Sequence, residues 1–269
     1  MTFMGIENAI FNRTRLLLGD TAMDRLADVR VIIFGVGGVG SWCAEALIRS
    51  GVSHLTIVDS DRVCITNINR QLMANLSTVG QVKVDALREH LLLINPNAEI
   101  EAVQKIFCAD TAPEFHLDSY DYIIDCIDSL KDKALLIELA TRCEGRFFSS
   151  MGAALKMDPT RVKVAEFWNV KGCPLARALR NRFKRQKRFP AKKFKCVYSD
   201  ELLTNQGEAT ACGTDRCMCP KADKGPGDTE LLNHEWCSSK AQINGSLMHI
   251  TAMFGLTLGG LVIEDILKT

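Results

Sequence analysis

Residues 29–51 read VRVIIFGVGGVGSWCAEALIRSG, and this stretch decides the fold. Its β-branched first part ends in glycine, which predicts a buried strand over 29–35. A helix is predicted over 38–50, ended by Gly51. A strand, a glycine-rich turn and a helix in this order favour phosphate binding, because glycine lets the backbone approach a phosphate and the helix N-terminus carries free N–H groups.

The same alternation of strand and helix continues along the chain. Strands are predicted over 54–61, 99–106, 120–128, 146–152, 161–168 and 195–199, and helices over 80–94, 131–143, 174–188 and 243–267. This spacing predicts a Rossmann-like α/β fold with a doubly wound, mainly parallel sheet. We expect one domain, 1–269, with a nucleotide-binding half (1–152) and a substrate-binding half (153–269) that holds strands, a basic helix, a flap over 204–235 and a buried apolar helix.

Composition predicts a soluble globular protein, and the use of cysteine predicts a cytoplasmic one. Apolar residues make up 47% of the chain and charged residues 24%, which is typical of a globular protein with a real core. No secretory signal is recognised at the start, and the eleven cysteines, an odd number, are interpreted mostly as reduced thiols. Residues 246–263 are just long and apolar enough to span a membrane, but their glycines and polar side chains favour a buried helix.

The basic residues are concentrated in one segment. Residues 171–195 hold eleven Lys or Arg and no acid, so the rest of the chain has 22 basic against 32 acidic residues. A mildly acidic body with one strongly basic segment predicts a polyanionic partner.

The glycine turn predicts a nucleotide site but does not identify the nucleotide. Its glycines are Gly35, Gly37, Gly38 and Gly40. Asp59 closes the second strand, where a carboxylate can accept a hydrogen bond from a ribose hydroxyl. These features alone fit NAD, FAD or ATP equally well.

Charged residues downstream favour ATP with Mg²⁺. A triphosphate needs side-chain cations and a metal in addition to the glycine turn. Arg70 and Lys83 can supply the cations, and Asp128, at the tip of a strand, can hold Mg²⁺. Asp61, Asn69 and Gln71 complete the predicted nucleotide contacts.

The ordered motifs GVGGVG, IVDSD, NINRQ, a downstream lysine, and DCID followed by Lys133 resemble the ubiquitin-activating-enzyme superfamily and its ThiF and MoeB adenylyltransferases. The resemblance implies that Arg70 and Lys83 contact phosphates and that Asp128 holds Mg²⁺. It also implies a homodimer, in which Arg13 acts on the ATP of the neighbouring subunit.

Motifs in the second half of the chain indicate the class of substrate. GCPLARALRNRFKR, CVYSDE and ITAMFGLTLGGLVI resemble the tRNA threonylcarbamoyladenosine dehydratases. That branch adenylates the threonyl carboxylate of a modified adenosine next to the anticodon, and the carbamoyl group then closes a ring with loss of AMP. The basic helix therefore predicts tRNA and not DNA as the partner. The predicted tRNA contacts are Arg177, Arg180, Lys184, Arg185 and Arg188.

Two other functions stay open at this point. One is adenylation of the C-terminal Gly-Gly of a sulfur-carrier protein, with sulfur-transfer proteins of a cysteine desulfurase system as partners; the absence of any Cys-x-x-Cys pair argues against the zinc that such enzymes usually hold. The other is a nucleotide sensor without turnover, which the complete set Arg13, Arg70, Lys83 and Asp128 disfavours.

The cysteine-rich stretch allows several interpretations. Cys237 is a candidate thiol nucleophile or persulfide carrier, although a bystander is favoured because ring closure needs no enzyme thiol. Cys212, Cys217 and Cys219, together with Cys237, could bind zinc, but their spacing is not that of a zinc knuckle.

Overall fold

The computed structural model describes residues 9–207 and 243–268. Within them a seven-stranded sheet runs in the order β3-β2-β1-β4-β5-β7-β6. The strands are β1 Arg30–Phe34, β2 His54–Val58, β3 Glu99–Val103, β4 Tyr122–Asp125, β5 Arg146–Ser150, β6 Val162–Glu166 and β7 Lys195–Ser199.

Every pairing in the sheet is parallel except that between β6 and β7. The predicted Rossmann-like, mainly parallel fold is therefore confirmed. Phe34, at the end of β1, pairs with Val58 on one side and Asp125 on the other. The chain reverses its winding direction at β1, and in such sheets ligands bind in the crevice beyond the carboxyl ends of the strands.

Helices cover both faces of the sheet. They are α1 Asn12–Leu18, α2 Asp20–Asp28, α3 Gly40–Ser50, α4 Lys83–Leu92, α5 Leu130–Ala140, α6 Pro174–Gln186 and α7 Met248–Lys268. One apolar core is built from α2, α3, α4 and α7 against the sheet, and a second from α5 and α6 against the other face. The carboxyl edge of the sheet lies between these two layers.

The apolar helix predicted over 243–267 begins only at Met248. By length and mean hydropathy, 1.7, α7 would pass as a membrane span. Ten of its residues are buried, and it packs closely on α3: a Cβ added at Gly255 would lie 2.3 Å from the carbonyl oxygen of Val39. This close packing agrees with the buried helix expected from the sequence.

Three other predicted boundaries are corrected. β2 ends at Val58 and β4 at Asp125, so the aspartates that follow lie in loops and not in strands. The helix predicted over 80–94 starts at Lys83, because Val82 is extended. The flap predicted over 204–235 lies outside the described residues from position 208 onward.

Candidate active site

The glycine turn is shaped by backbone packing at two of its glycines. Gly35 has φ +86°, and a Cβ there would lie 2.8 Å from the carbonyl oxygen of Cys126. A Cβ at Gly40 would lie 1.9 Å from the carbonyl oxygen of Gly35, so only glycine lets α3 approach β1 this closely. Gly37 differs, because its nearest neighbour would be the side chain of Gln71 at 3.6 Å. Its backbone therefore faces the space in which a phosphate would approach.

The N-terminus of α3 is left without a side-chain cap. Val39 precedes the helix and makes no capping hydrogen bond, and the first turn holds no acid. Ser41 instead ties the turn together: its hydroxyl donates to the carbonyl oxygen of Gly37 at 2.7 Å and accepts from the amide of Leu72 at 3.3 Å. An uncapped helix N-terminus at a glycine turn is suited to an anion.

Lys83 brings the two predicted aspartates together. Its Nζ lies 2.6 Å from Asp61 Oδ2 and 3.8 Å from Asp59 Oδ1, and the lysine is 5% exposed. Burial lowers the pKa of Lys83, but the two carboxylates and Asp128 together raise this pKa by a larger amount, so the net shift is upward. The ammonium group therefore stays charged at neutral pH, as a phosphate contact requires.

Asp59 also fixes the glycine turn. Its Oδ2 accepts a hydrogen bond from the amide of Val36 and its Oδ1 one from the amide of Asp61, both at 2.9 Å. The carboxylate thus holds the end of β2 against the turn after β1. A ribose hydroxyl bound there would meet an acceptor whose position is already set.

Asp128 stands exposed in the loop after β4, and a buried ion pair supports that loop. Lys133 Nζ donates to Asp125 Oδ2 at 2.7 Å and to the carbonyl oxygen of Ile127 at 2.8 Å, and both charged side chains are fully buried. Ser149 donates to the same Asp125 oxygen at 2.6 Å. The pair therefore fixes the residues just before Asp128.

Asp125 and Ser149 were not among the residues predicted from sequence. Both occupy strand positions, where a polar side chain more often faces solvent, and no local pattern reveals that they face each other inside. The one available signal was Lys133, eight residues beyond Asp125 on the first turn of a helix that covers the sheet.

The NINRQ motif closes the other side of the crevice. Gln71 is buried, and its Oε1 finds no hydrogen-bond partner among the described residues. Arg70 donates to the carbonyl oxygen of Thr66 at 2.8 Å. The aliphatic part of its side chain lies 3.3 Å from the position that a Cβ on Gly38 would occupy. Asn69 donates to the carbonyl oxygen of Ser246 at 3.0 Å, which links this motif to the segment before α7.

Trp42, which sequence reasoning did not select, completes this wall. Its indole Nε1 donates to the carbonyl oxygen of Arg70 at 3.1 Å. The structure thus brings the glycine turn, Asp59, Asp61, Lys83 and the NINRQ motif to one crevice, with Asp128 close enough to act on the charge of Lys83.

Arg13 lies in α1 and is exposed. Its action on a neighbouring subunit stays a prediction. Cys212, Cys217, Cys219 and Cys237 lie outside the described residues, and within these no cluster of His, Cys, Asp or Glu forms a metal site. Six described cysteines are free thiols: Cys43, Cys108, Cys126, Cys143, Cys173 and Cys196.

The basic helix α6 runs from the crevice edge of the sheet to the opposite edge. Near its start, the Cβ of Leu175 lies 3.7 Å from the position that a Cβ on Gly152 would occupy. Gly152 lies just beyond β5. Beyond its end, Lys192 donates to the carbonyl oxygens of Cys143 and Gly145, which precede β5. The helix therefore presents cations along the full height of the sheet.

The five predicted tRNA contacts fall into two groups. Arg177, Lys184, Arg185 and Arg188 are exposed, and the Arg188 side chain keeps 59% of its surface in solvent while it pairs with the buried Glu138 at 2.7 Å. Arg180 is half-buried and donates to the carbonyl oxygen of Phe167 at 3.1 Å. Arg180 thus also serves the fold, which charge counting could not distinguish from a purely surface role.

This geometry defines a class: a doubly wound α/β protein whose β1–α3 turn, with the lysine and aspartates paired beside it, is suited to a nucleotide phosphate chain. Residues 11–268 match the ThiF family, and the chain belongs to that family.

Individual relatives narrow the comparison. The tRNA threonylcarbamoyladenosine dehydratase of Bacillus subtilis is 35% identical over 260 residues, covering 96% of this chain and 94% of that protein. The crystal structure of the Escherichia coli tRNA N6-threonylcarbamoyladenosine dehydratase in complex with ATP superposes with a TM-score of 0.79 and 29% identity, covering 97% and 95% of the two chains. The Escherichia coli molybdopterin-synthase adenylyltransferase is 32% identical over 151 residues, 55% of this chain and 59% of that protein.

Proposed function

We propose that the protein is an ATP-dependent dehydratase that converts threonylcarbamoyladenosine in tRNA to its cyclic form. The main support for this proposal is the share of the chain over which it is similar to a known dehydratase. The dehydratase of Bacillus subtilis matches 96% of the chain, including the basic helix, whereas the molybdopterin-synthase adenylyltransferase matches 55%. The nucleotide crevice alone would suit both activities, so the greater extent of the first similarity is what favours the tRNA substrate.

The residues of the crevice fit ATP. Gly37 leaves room for a phosphate, the uncapped start of α3 offers N–H groups, and Lys83 keeps a charged ammonium group beside them. Gln71 brings a buried oxygen that has no partner among the described residues and can accept a hydrogen bond from a ligand. Asp59 is assigned to the ribose and Arg70 to the phosphates.

Asp128 is the proposed ligand of Mg²⁺. A carboxylate that stands exposed at the carboxyl edge of a parallel sheet suits a hard cation with oxygen ligands. When bound, the ion neutralises charge on the phosphates and makes the α-phosphorus easier to attack. The chain contributes by holding Asp128 still, through the buried pair of Lys133 and Asp125.

The reaction then proceeds in two displacements. The threonyl carboxylate oxygen attacks the α-phosphorus of ATP, and pyrophosphate leaves. The carbamoyl group of the same nucleoside attacks the activated carbonyl carbon, the ring closes and AMP leaves. Because the second nucleophile is already in the molecule, proximity replaces an enzyme thiol. Cys237 is therefore not assigned a step.

A homodimer is part of the proposal. Leu16 and Leu17 on α1 are 79% and 83% exposed, in the same short helix as Arg13. Two adjacent exposed leucines suit a protein contact better than water. A dimer formed through this region would carry Arg13 to the partner, as the resemblance implies.

The exposed cations of α6 and of the residues just beyond it, namely Arg177, Lys184, Arg185 and Arg188, are proposed to contact tRNA phosphates. A cytoplasmic location follows from a tRNA substrate. The single-domain organisation with halves 1–152 and 153–269 is kept as a proposal, supported by the joining of β6 and β7 to the sheet through β5. Partners from a cysteine desulfurase system stay a prediction from the resemblance.

One assay tests the reaction. The protein is incubated with Mg²⁺, ATP and threonylcarbamoylated tRNA. The tRNA is then digested to nucleosides, and their masses are measured by mass spectrometry. The proposal expects the loss of one water from the modified nucleoside, together with one AMP per product. Controls omit ATP or replace it with an analogue that cannot release pyrophosphate. No product here, combined with ATP–pyrophosphate exchange stimulated by a small protein ending in Gly-Gly, would instead establish the sulfur-carrier activity.

A further inference from the structure

Two aromatic side chains stand exposed together at the edge of the sheet opposite the crevice. The ring centroids of Trp168 and Phe189 lie 6.2 Å apart with planes inclined at 43°, and the residues are 38% and 49% exposed. The apolar core lies directly beneath this pair, so both rings could have been buried in it. Their exposure therefore calls for a ligand with its own flat apolar surface.

The pair rests on a rigid base. Phe167 is fully buried, meets Trp168 edge-on at 5.2 Å, and stacks on Phe194 at 5.0 Å with an interplanar angle of 18°. Phe194 in turn contacts Phe147 of β5 at 5.0 Å. A continuous series of rings thus leads from the sheet to the surface, and the outer rings lose little further freedom when a ligand binds.

The end of α6 brings Phe189 to this position. Lys187 adopts the left-handed conformation, φ +52°, and the amide of Arg188 returns to the carbonyl oxygen of Phe183 at 3.2 Å. Glycine is the usual residue at this point of a helix end, since a side chain there is strained. A lysine in its place keeps one more exposed cation beside the aromatic pair.

Charge identifies the chemistry of the partner. Exposed Lys184, Arg185 and Lys187 precede Phe189 directly, within a segment of 25 residues that contains no acid. Aromatic rings surrounded by cations are suited to single-stranded nucleic acid, whose bases stack on the rings while its phosphates meet the cations. We propose that Trp168 and Phe189 form a stacking platform for an unpaired base of the tRNA, an inference that rests on the proposed function.

The position of the platform excludes the reacting adenosine as the base that it binds. Trp168 follows the end of β6, where Glu166 pairs with Lys195 at the start of β7, so the platform lies at the amino edge of the sheet. The nucleotide crevice lies at the carboxyl edge. The 13 residues of α6 span this height, about 20 Å at 1.5 Å per residue. The stacked base is therefore a different one from the adenosine that reacts.

Binding measurements on the full chain test the platform. Trp168→Ala and Phe189→Ala should each weaken tRNA binding about tenfold, because one stacked base is lost. The slope of log affinity against log salt should stay unchanged, since no phosphate contact is removed. Trp168→Phe, which keeps a ring, should restore most of the affinity, and ATP affinity should be unaffected. Leu93→Ala, at an 85% exposed position beyond α4, is the matched control and should bind tRNA like the unmodified protein.

Short RNA separates the platform from the reaction. The unmodified protein should bind a single-stranded oligoadenylate but not an oligomer of equal length that has the same backbone and no bases. The Trp168→Ala variant should not distinguish the two oligomers. Normal tRNA affinity in both alanine variants would overturn the platform and leave the dehydratase intact. A loss of self-association with unchanged RNA affinity would also overturn it, by assigning the surface to a protein contact. Base-dependent binding without any dehydration would sink the proposed reaction and not the platform.

Discussion

The crevice at the carboxyl edge and the surface of α6 are both rich in charge, but they use it differently. In the crevice, Lys83 is buried against two aspartates, and Lys133 is buried against Asp125 beneath the neighbouring loop. On α6, Lys184 and Arg185 extend into solvent. Buried, paired charges have one geometry, whereas exposed cations are mobile and heavily screened.

The difference matches the two tasks. Displacement at a phosphorus atom requires groups held to a fraction of an ångström, which pairing and burial provide. Holding a large polyanion requires only a positive surface that tolerates many arrangements. One charged residue of α6, Arg180, lies between the two patterns, because it is half-buried and donates to the carbonyl oxygen of Phe167.

The largest effect is expected at the proposed metal ligand. Asp128→Ala should lower the rate of dehydration about 10³-fold, because the charge of the phosphates is no longer neutralised. Binding of tRNA should not change. The rate is followed by nucleoside mass spectrometry, with Asp110→Ala, an exposed acid in the loop after β3, as the control. A near-normal rate in Asp128→Ala would remove this residue from the site.

A shared site would make the crevice depend on two chains. Arg13→Ala should lower the rate about 10²-fold by removing one charged contact to the phosphates. Mixing equal amounts of Arg13→Ala and Asp128→Ala subunits should restore about a quarter of the normal activity, since half the dimers are mixed and each has one complete site. If the mixture stays as inactive as its components, Arg13 does not act across an interface.

Removing one member of a buried pair should cost stability. Lys133→Met leaves Asp125 buried without its cation and should lower the free energy of unfolding by about 3–5 kcal/mol. Lys131→Met, two residues earlier and exposed, should be close to neutral. Urea unfolding followed by circular dichroism makes the comparison, and equal midpoints for the two variants would show that the pair does not stabilise the fold.

Exposed cations should behave in the opposite way. Lys184→Glu combined with Arg185→Glu should weaken tRNA binding by about tenfold or more at low salt and reduce the salt dependence, with stability and ATP binding unchanged. Lys163→Glu, on the edge strand β6, is the control for a change of charge elsewhere. Equal weakening by the control would mean that overall charge, and not α6, attracts the tRNA.

The smallest effect is expected where paired charges are exposed. Hydrogen bonds from Lys163 and Arg161 lower the pKa of Asp200 from 3.8 to about 2. A lowered pKa stabilises the folded state above the ordinary value, and this contribution disappears as the pH falls through about 2. Asp200→Asn should therefore lower the urea midpoint slightly at neutral pH, with the difference shrinking below pH 3.8. A difference that persists at lower pH would have another cause.

The sequence predicted the elements that depend on local pattern. The glycine turn, the parallel sheet and the buried apolar helix were recognisable because periodicity and glycine spacing report on the backbone directly. Element ends were less accurate: β2 ends at Val58, where Asp59 turns its carboxylate to the amides of Val36 and Asp61, and the contact with Val36 joins residues that are far apart in the sequence.

Contacts made by the tertiary fold were beyond prediction. The ion pair of Lys133 with Asp125 depends on a helix packed over the sheet, and that of Arg188 with Glu138 depends on the segment beyond α6 lying next to α5. Trp168 and Phe189 lie 21 positions apart and meet only because α6 ends in a left-handed turn. A single sequence does not show which charges such packing will remove from the surface.

The amide side chain of Asn205 joins the last residues described before position 208 to the first ones described after position 242. It donates to the carbonyl oxygen of Ile243 at 2.9 Å and accepts from the amide of Gly245 at 2.8 Å, so the points where the chain leaves and rejoins the fold are adjacent. Residues on the two sides of the undescribed segment are therefore held together by one side chain, although they lie far apart in the sequence. An alanine at position 205 would remove both hydrogen bonds at once.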